Sequence, residues 1–257
     1  MIRGLHLFQE FFEGYEDHYT IIGGAACDMI FTDVGLGFRA TRDIDMVLCV
    51  EVVDKAFGER LQAFLDAGGY QARERSTGQR EFYRFHQPQD DRFPEMIELL
   101  TRNSGALQST PAQTAVPMPV EAEALSLSAI LLDPDYYEAL QANRRVIDGI
   151  SVLDERLLIP FKARAFVDLS ARRANGENVR SGDIRKHGND VFRLLQLLPG
   201  DAVINVGAAI QDDLNRFVDL IEADDSVDPR QFGVDITRDE GLAQLRKAYG
   251  LESTEAP

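Results

Sequence analysis

The spacing of apolar residues changes near residue 150, and this change limits the possible folds more than any other feature of the chain. Before it, short apolar runs such as YTII at 19–22 and IDMVLCV at 44–50 alternate with segments of helical spacing and glycine turns, a pattern typical of strands and helices in one domain. After it, long segments keep helical spacing. The sequence therefore predicts an α+β fold, with an α/β domain over residues 1–153 and a helical domain over 154–257.

Turn-forming residues divide the first half into shorter elements. Helices are predicted over 4–14, 25–32 and 52–67, and strands over 19–22, 44–50, 81–86 and 95–101. The pair Asp148-Gly149 predicts the tight turn of a hairpin over 146–152. The segment 103–119 is rich in serine, threonine and proline, which favours a surface loop or an irregular strand.

The composition excludes several classes of protein. Of the 257 residues, 44% are hydrophobic and 27% are charged, which suits a globular chain with a core of its own. No apolar run approaches the roughly 20 residues that a membrane-spanning helix needs. The two cysteines, Cys27 and Cys49, cannot form a disulfide scaffold or a four-cysteine zinc site. The N-terminus meets acidic residues too early for a secretory signal, so we expect a cytoplasmic protein without a membrane partner.

The charge is distributed unevenly along the chain. The net charge of −16 disfavours indiscriminate binding of nucleic acid, because the field of the whole chain repels phosphate. The segment 156–186 is the exception, since it holds eight lysines and arginines against three acids. Such a segment is either a solvated helix face or a local surface for selective phosphate binding, and the charge pattern leaves both open.

The strongest functional signal lies between the first two predicted strands. Gly23 and Gly24 follow the first strand, and their lack of side chains would let the backbone and a helix N-terminus approach a phosphate. Asp43 and Asp45 are two residues apart on the second strand, so both point to one face. Two carboxylates this close repel each other unless a cation lies between them. Because Mg²⁺ prefers oxygen ligands and shares them with substrate phosphates, these residues predict a magnesium–phosphate site.

A third carboxylate is expected within the sequence PEMIELL. Glu98 lies inside an apolar strand, where an unpaired charge would be costly. A metal shared with Asp43 and Asp45 would explain it, since two-metal phosphoryl transfer uses two bridging carboxylates and a third that helps to activate the attacking hydroxyl. Glu95 is the alternative, and we favour Glu98 because Glu95 fits an exposed acid at the edge of the strand.

These residues together resemble the DNA polymerase beta-type nucleotidyltransferase superfamily, in which Gly-Gly, an interval, Asp-x-Asp and a later acid in an apolar strand recur in this order. The string Arg39-x-Thr41-x-Asp43-x-Asp45 is similar to the AbiEii branch, the toxins of type IV toxin–antitoxin systems, which includes the MenT toxins. The resemblance implies a polymerase-beta-like core, a small mixed sheet with flanking helices, followed by a helical half. It also implies a two-metal Mg²⁺ site at Asp43, Asp45 and Glu98, and nucleotide binding by Gly23, Gly24, Arg39 and Thr41.

The helical half contains two further matches. Residues 161–165, FKARA, resemble the lysine-bearing helix of the family, and residues 185–191 resemble its Lys-Asp-x-x-Asp helix. The resemblance implies that Lys162, Lys186 and Asp190 complete the nucleotide site. The residues themselves leave alternatives open. Lys162 could extend from an apolar helix face to water, and Lys186 and Asp190, four residues apart, could form an ordinary intrahelical ion pair.

The resemblance implies an Mg²⁺-dependent enzyme that transfers a nucleoside monophosphate from an NTP to a hydroxyl acceptor and releases pyrophosphate. The acceptor would be RNA, as for toxins that modify the 3′ end of tRNA, and a cognate antitoxin would be a partner. Two alternatives stay open. The acidic chain equally suits a cationic small-molecule acceptor such as an aminoglycoside, and a non-catalytic protein could bind a nucleotide or a partner at the same residues.

Overall fold

The chain forms two compact units in the computed structural model, which describes residues 2–49, 53–75, 81–101, 116–117, 127, 130–131 and 133–251. The first unit lies within Met1–Ala124 and Asn143–Asp154, and the second lies within Leu125–Ala142 and Glu155–Pro257. The sequence predicts a boundary after residue 153, and the units meet one residue later, between Asp154 and Glu155. The segment that ends at Ala142 differs from that prediction, because it belongs to the helical unit although it precedes the boundary.

The first unit is built on one mixed sheet, in which the described residues contribute eight strands. These are β1 (Tyr19–Ile22), β2 (Asp43–Leu48), β3 (Ala72–Arg75), β4 (Glu81–His86), β5 (Met96–Thr101), β6 (Val116–Pro117), β7 (Arg144–Ile147) and β8 (Ile150–Leu153). Their order across the sheet is β6-β3-β4-β5-β2-β1-β8-β7. β2 is antiparallel to β1 and parallel to β5, and β5 is antiparallel to β4. The predicted mixed α+β class is confirmed, with a larger sheet than the small one that we expected.

Three helices of the first unit pack their apolar faces inward. They are α1 (Leu5–Phe12), α2 (Gly23–Asp33) and α3 (Lys55–Gly68), each within three residues of its predicted bounds. α3 begins where Asp54 accepts a hydrogen bond of 2.8 Å from the backbone N–H of Phe57. Aromatic rings from α1, α3 and β1 form a cluster with centroid separations between 4.5 and 5.8 Å, which includes Phe8, Phe12, Tyr19, Phe57 and Phe64.

The hairpin predicted around Asp148-Gly149 joins β7 to β8. Asp148 has φ of 46° and Gly149 has φ of 69°, as the two central residues of a tight hairpin turn require. β3 was not expected from the sequence. Of the segment 103–119, only Val116 and Pro117 fall within the described residues, and they pair with β3.

The second unit is helical. Its elements are α4 (Pro134–Ala142), α5 (Glu155–Ala174), α6 (Ser181–Leu195), α7 (Ala208–Glu222), a 3₁₀ turn (Pro229–Phe232) and α8 (Arg238–Tyr249). α4 was not expected, and a buried residue ties it to this unit. The hydroxyl of Tyr136 lies 3.1 Å from Oδ2 of Asp213 on α7, and its ring packs edge-on against Phe161 of α5 at 5.3 Å.

No helix among the described residues has both the length and the hydropathy that a bilayer crossing demands. Cys27 and Cys49 are both buried, and neither forms a disulfide within the part of the chain that the structure describes.

Candidate active site

Asp43 and Asp45 lie on β2, near the centre of the sheet. Both aspartates are half-buried, whereas Ile44 and Met46 are fully buried. Because side chains alternate along a strand, the two carboxylates share one face and the apolar residues anchor the opposite one. The aspartates therefore remain accessible to a ligand while they lie in surroundings that strengthen electrostatic binding.

β1 passes directly into α2 at Gly23, which has φ of 69°. This left-handed backbone favours glycine, since it has no Cβ to clash. The N-cap residue Ile22 supplies no side-chain hydrogen bond to the helix, so the N–H groups of the first turn can still bind an anion. A Cβ on Gly23 would collide with Oδ2 of Asp45. The N-terminus of α2 therefore lies directly beside Asp45.

Arg39 and Thr41 approach the same helix N-terminus from the loop that precedes β2. A Cβ on Gly24 would lie 2.9 Å from Oγ1 of Thr41 and 3.6 Å from Nη2 of Arg39. Both side chains are half-buried. The structure thus brings together five of the predicted site residues, which are Gly23, Gly24, Arg39, Thr41 and Asp45.

Glu98 stands opposite Asp45 on the neighbouring strand β5. It is only 7% exposed, and its Oε1 lies 2.7 Å from both Nε and Nη2 of Arg84 on β4. Burial raises the pKa of Glu98. The guanidinium of Arg84 and a hydrogen bond with Asp45 offset part of this rise, and the charge of Asp43 adds to it. Glu98 is therefore held beside the aspartates by an arginine.

Glu95, the alternative third acid, lies outside β5 and is exposed. Its Oε2 is 3.6 Å from Nη1 of Arg42, and the two side chains are 50% and 77% exposed. An exposed pair of this kind contributes little to stability. Of the two glutamates, Glu98 is the one that faces Asp45.

Arg84 is the residue of this site that the sequence analysis missed. It lies in the strand sequence EFYRFH between Tyr83 and Phe85, and all three residues are buried. A charged residue between aromatic residues in a predicted strand could have identified it, because arginine is almost never fully buried unless it is paired. The carboxylate that it needs lies directly opposite on β5.

The two aspartates suit a metal ion better than the full set of three acids does. Within the described part of the chain, no group of three or more histidine, cysteine, aspartate or glutamate side chains is arranged to hold a metal ion. Asp43 and Asp45 nevertheless suit Mg²⁺ chemically, since this ion is commonly held by one or two carboxylates together with waters and substrate phosphates. The donor set therefore fits a cation that arrives with a phosphate ligand.

The other predicted nucleotide-binding residues lie in the helical unit. Lys162 on α5 is 4% exposed, and its Nζ is 3.4 Å from Oδ2 of Asp190 on α6. It therefore does not extend to water. Lys186 is 3.8 Å from Asp183, one turn earlier on α6. Lys162 and Asp190 thus form a buried pair, and their predicted contact with a nucleotide stays a prediction.

Comparison with known proteins shows a distant similarity to a solved structure. No model of a protein family matches the chain, and no curated protein matches it. The chain is similar to the crystal structure of an antigenic nucleotidyltransferase-like protein from Paracoccidioides brasiliensis, with 16% sequence identity and a TM-score of 0.43. The match covers 95% of this chain and 90% of that chain. A similarity of this degree assigns neither a family nor an activity to the chain.

The basic segment 156–186 exposes fewer cations than its sequence suggests. Lys162 is buried, Arg164 lies within 3.2 Å of Asp133 and Asp213, and Arg172 lies within 3.3 Å of Asp168 and Glu177. The exposed members are Arg156, Arg173, Arg180 and Arg185, and Lys186 is half-buried. Any surface for phosphate binding in this segment therefore depends on these four arginines and on Lys186.

Proposed function

We propose that the chain is a nucleotidyltransferase that moves a nucleoside monophosphate from an NTP to a hydroxyl acceptor, with Mg²⁺ as cofactor. One observation carries the proposal: two half-buried aspartates share a face of β2 beside a glycine-led helix N-terminus that has no side-chain cap. The aspartates suit a divalent cation, and the helix N-terminus suits an anion. A magnesium–nucleotide complex presents both of these charges next to each other.

Each residue of the cluster would have a distinct part in binding the nucleotide. Asp43 and Asp45 would hold Mg²⁺, which when bound neutralises charge on the phosphates and polarises the reacting phosphoryl group. Gly23 and Gly24 would let the N–H groups of α2 contact phosphate oxygens. Arg39 would place a positive charge beside the same phosphates. The hydroxyl of Thr41 would donate a hydrogen bond to them.

In the transfer, one bond forms and one bond breaks at the α-phosphorus. The hydroxyl oxygen of the acceptor bonds to this atom, the bond to the oxygen that bridges to the β-phosphate breaks, and pyrophosphate leaves with that electron pair. The hydroxyl proton passes to a base. Glu98 as third metal ligand or base, and Lys162, Lys186 and Asp190 as nucleotide-binding residues, stay predictions from the resemblance.

The acceptor class has two candidates, each with its own support. The resemblance to AbiEii toxins favours RNA, in particular the 3′ end of tRNA, and a cognate antitoxin as partner. The structure gives a reason to keep a cationic small molecule as second candidate, because Lys162, Arg164 and Arg172 are committed to carboxylates and the chain has a net charge of −16. An aminoglycoside is such a molecule.

A transfer assay tests the proposal directly. The full chain is incubated with Mg²⁺ and each α-³²P-labelled NTP, with total tRNA in one series and aminoglycosides in another. We expect label to enter one acceptor class with release of pyrophosphate. Asp43→Asn should lower the rate at least about 100-fold, because the charge that a metal supplies to the transition state is worth several kcal/mol. Asp91→Asn, an exposed residue in the turn before β5, is the matched control and should leave the rate unchanged.

Two results would contradict the proposal. Full transfer activity in Asp43→Asn would show that the aspartates are not the site. Binding of Mg²⁺–NTP without transfer to any acceptor would favour the non-catalytic alternative, in which the same residues only bind a nucleotide.

A further inference from the structure

Four residues form a row across the centre of the sheet. Ile22 on β1 stands opposite Asp45 on β2, Asp45 stands opposite Glu98 on β5, and Glu98 stands opposite Arg84 on β4. Residues directly opposite each other on neighbouring strands point to the same face. Asp45, Glu98 and Arg84 are therefore side by side, and Asp43 shares their face two positions away on β2.

Glu98 already has a cation within the fold. Two nitrogens of Arg84 lie 2.7 Å from Oε1 of Glu98, and the side chains are only 10% and 9% exposed. A guanidinium keeps its charge in proteins, and a hydrogen-bonded pair of this kind is among the strong polar contacts. A metal that drew Glu98 away would leave the buried guanidinium without this carboxylate, which is costly.

We infer that Arg84 holds Glu98 as a positioning residue for Asp45, and that Asp43 and Asp45 bind the divalent cation without Glu98. The inference rests on the proposed function only in taking a divalent cation and a nucleotide as the ligands of the site. It agrees with the finding that the acids among the described residues do not form a three-member metal-binding group.

Binding of the divalent cation at this site should depend on the nucleotide. Two carboxylates are few ligands for Mg²⁺, and waters and substrate phosphates must complete its coordination. The free protein should therefore bind a divalent cation weakly, and the cation and the nucleotide should bind tightly only together. A three-carboxylate site would instead bind the free cation well.

Mn²⁺ binding, measured by electron paramagnetic resonance on the full chain, separates the two arrangements. Glu98→Gln keeps an acceptor for Arg84 but removes the charged ligand oxygen. We expect this variant to change the Mn²⁺ dissociation constant in the presence of an NTP by less than about threefold, whereas Asp43→Asn should raise it more than about tenfold, because hard divalent cations depend on charged oxygen ligands. Equal weakening by the two variants would overturn the inference, as would an unaltered Mn²⁺ affinity when the NTP is withdrawn.

A second measurement observes the Arg84–Glu98 pair itself in the wild-type chain. The Nε–H signal of Arg84 in a ¹H–¹⁵N spectrum is identified by its loss in Arg84→Lys. We expect it to persist, with its slow exchange with solvent, when Mg²⁺ and a non-hydrolysable NTP analogue are added. Loss of this signal on addition of both ligands would show that Glu98 leaves Arg84 for the metal, and would overturn the inference.

The outcomes also separate this inference from the proposed function. Failure of NTP transfer with the expected Mn²⁺ pattern would remove the enzymatic proposal and leave the metal-binding assignment in place. If transfer succeeds but Glu98→Gln weakens Mn²⁺ binding as much as Asp43→Asn does, the inference about Glu98 is wrong and the enzymatic proposal stands. If the wild-type chain binds no Mn²⁺ with any NTP, the inference is wrong.

Discussion

Nζ of Lys162 lies 3.4 Å from Oδ2 of Asp190 in the helical unit, and the other oxygen of Asp190 lies 3.1 Å from Nη1 of Arg193. Asp190 is fully buried and Lys162 is 4% exposed. One buried carboxylate thus serves two cations. The partners are not equivalent, because loss of Asp190 takes the carboxylate from both cations, while loss of Lys162 leaves Asp190 with Arg193.

The first prediction compares these two losses. We expect Asp190→Asn to lower the free energy of unfolding by about 3–5 kcal/mol, the usual cost of an uncompensated buried charge. Lys162→Met should cost less, about 1–2 kcal/mol, since methionine fills similar space and Arg193 remains. Urea unfolding of the full chain, followed by circular dichroism, measures both. Lys186→Met is the control, since Lys186 lies on α6 like Asp190, and it should change stability by less than about 0.5 kcal/mol. Equal losses for Lys162 and Asp190 would contradict the asymmetry.

The second prediction concerns the backbone beside Asp45. Gly23→Ala places a Cβ against Oδ2 of Asp45 at a residue with φ of 69°, so the carboxylate must move and the backbone is strained. We expect it to weaken nucleotide-dependent Mn²⁺ binding at least about tenfold, since a displaced carboxylate no longer meets the coordination geometry. Gly24→Ala should be milder, because its nearest contact, Oγ1 of Thr41 at 2.9 Å, belongs to a side chain that can rotate.

Gly182→Ala provides the control for both glycine variants. Gly182 lies in the first turn of α6, and a Cβ there would meet no atom within 4 Å. Because alanine is the better helix former, we expect this variant to be as stable as the parent chain or slightly more stable. An Mn²⁺ affinity that falls equally in Gly23→Ala and Gly182→Ala would show that the loss does not come from the contact with Asp45.

Local signals in the sequence were sufficient to place Asp43, Asp45, Gly23 and Gly24 close together. Strand alternation put the aspartates on one face, and the Gly-Gly step marked the start of the helix that reaches them. Arg84 could not be placed in the same way, because its partner lies 14 residues later. Only the register between β4 and β5 brings the two residues together, and register depends on the whole sheet.

The elements that the sequence analysis missed are those whose formation depends on distant partners. β3 reads ARER and has no alternation of apolar and polar residues; it is a strand because it pairs with β4 and β6. α4 is short, and Asp213 on α7 and Phe161 on α5 hold its Tyr136. Propensity is a weak guide where such tertiary contacts decide the structure.

The third prediction concerns buried tyrosines at high pH. Tyr70 is 4% exposed and its hydroxyl donates a hydrogen bond of 2.7 Å to the carbonyl oxygen of Pro94. Burial raises the pKa of Tyr70, as it does for Tyr19 and Tyr136. Unfolded tyrosines lose their proton near pH 10. Above this pH the folded chain therefore binds more protons than the unfolded chain, and the free energy of unfolding must fall as pH rises.

Absorbance at 295 nm, recorded against pH, measures the ionisation of the tyrosines. At least three of the seven tyrosines should stay protonated in the folded chain at pH 11, whereas all seven should titrate near pH 10 in guanidinium chloride. Tyr70→Phe should flatten the fall in stability above pH 10 and cost about 1 kcal/mol at neutral pH through the lost hydrogen bond. Titration of every tyrosine near pH 10 while the chain remains folded would contradict this prediction.

The fourth prediction separates the two acceptor classes through the exposed arginines of the basic segment. If RNA is the acceptor, Arg173→Gln and Arg180→Gln should each weaken tRNA binding and lower the slope of log K against log salt by about 0.7–0.9, because each phosphate contact releases roughly that many counterions. Fluorescence anisotropy of labelled tRNA between 50 and about 200 mM salt provides the slopes. Arg216→Gln is the control, since Arg216 is 67% exposed on α7 outside the basic segment, and it should leave the slope unchanged.

A cationic small-molecule acceptor predicts the opposite effect of Arg173→Gln and Arg180→Gln. Removal of either positive charge reduces repulsion of the acceptor and should leave its transfer rate unchanged or raise it. If the wild-type chain binds tRNA and neither Arg173→Gln nor Arg180→Gln alters this binding, Arg173 and Arg180 are not part of the RNA surface and the prediction is wrong.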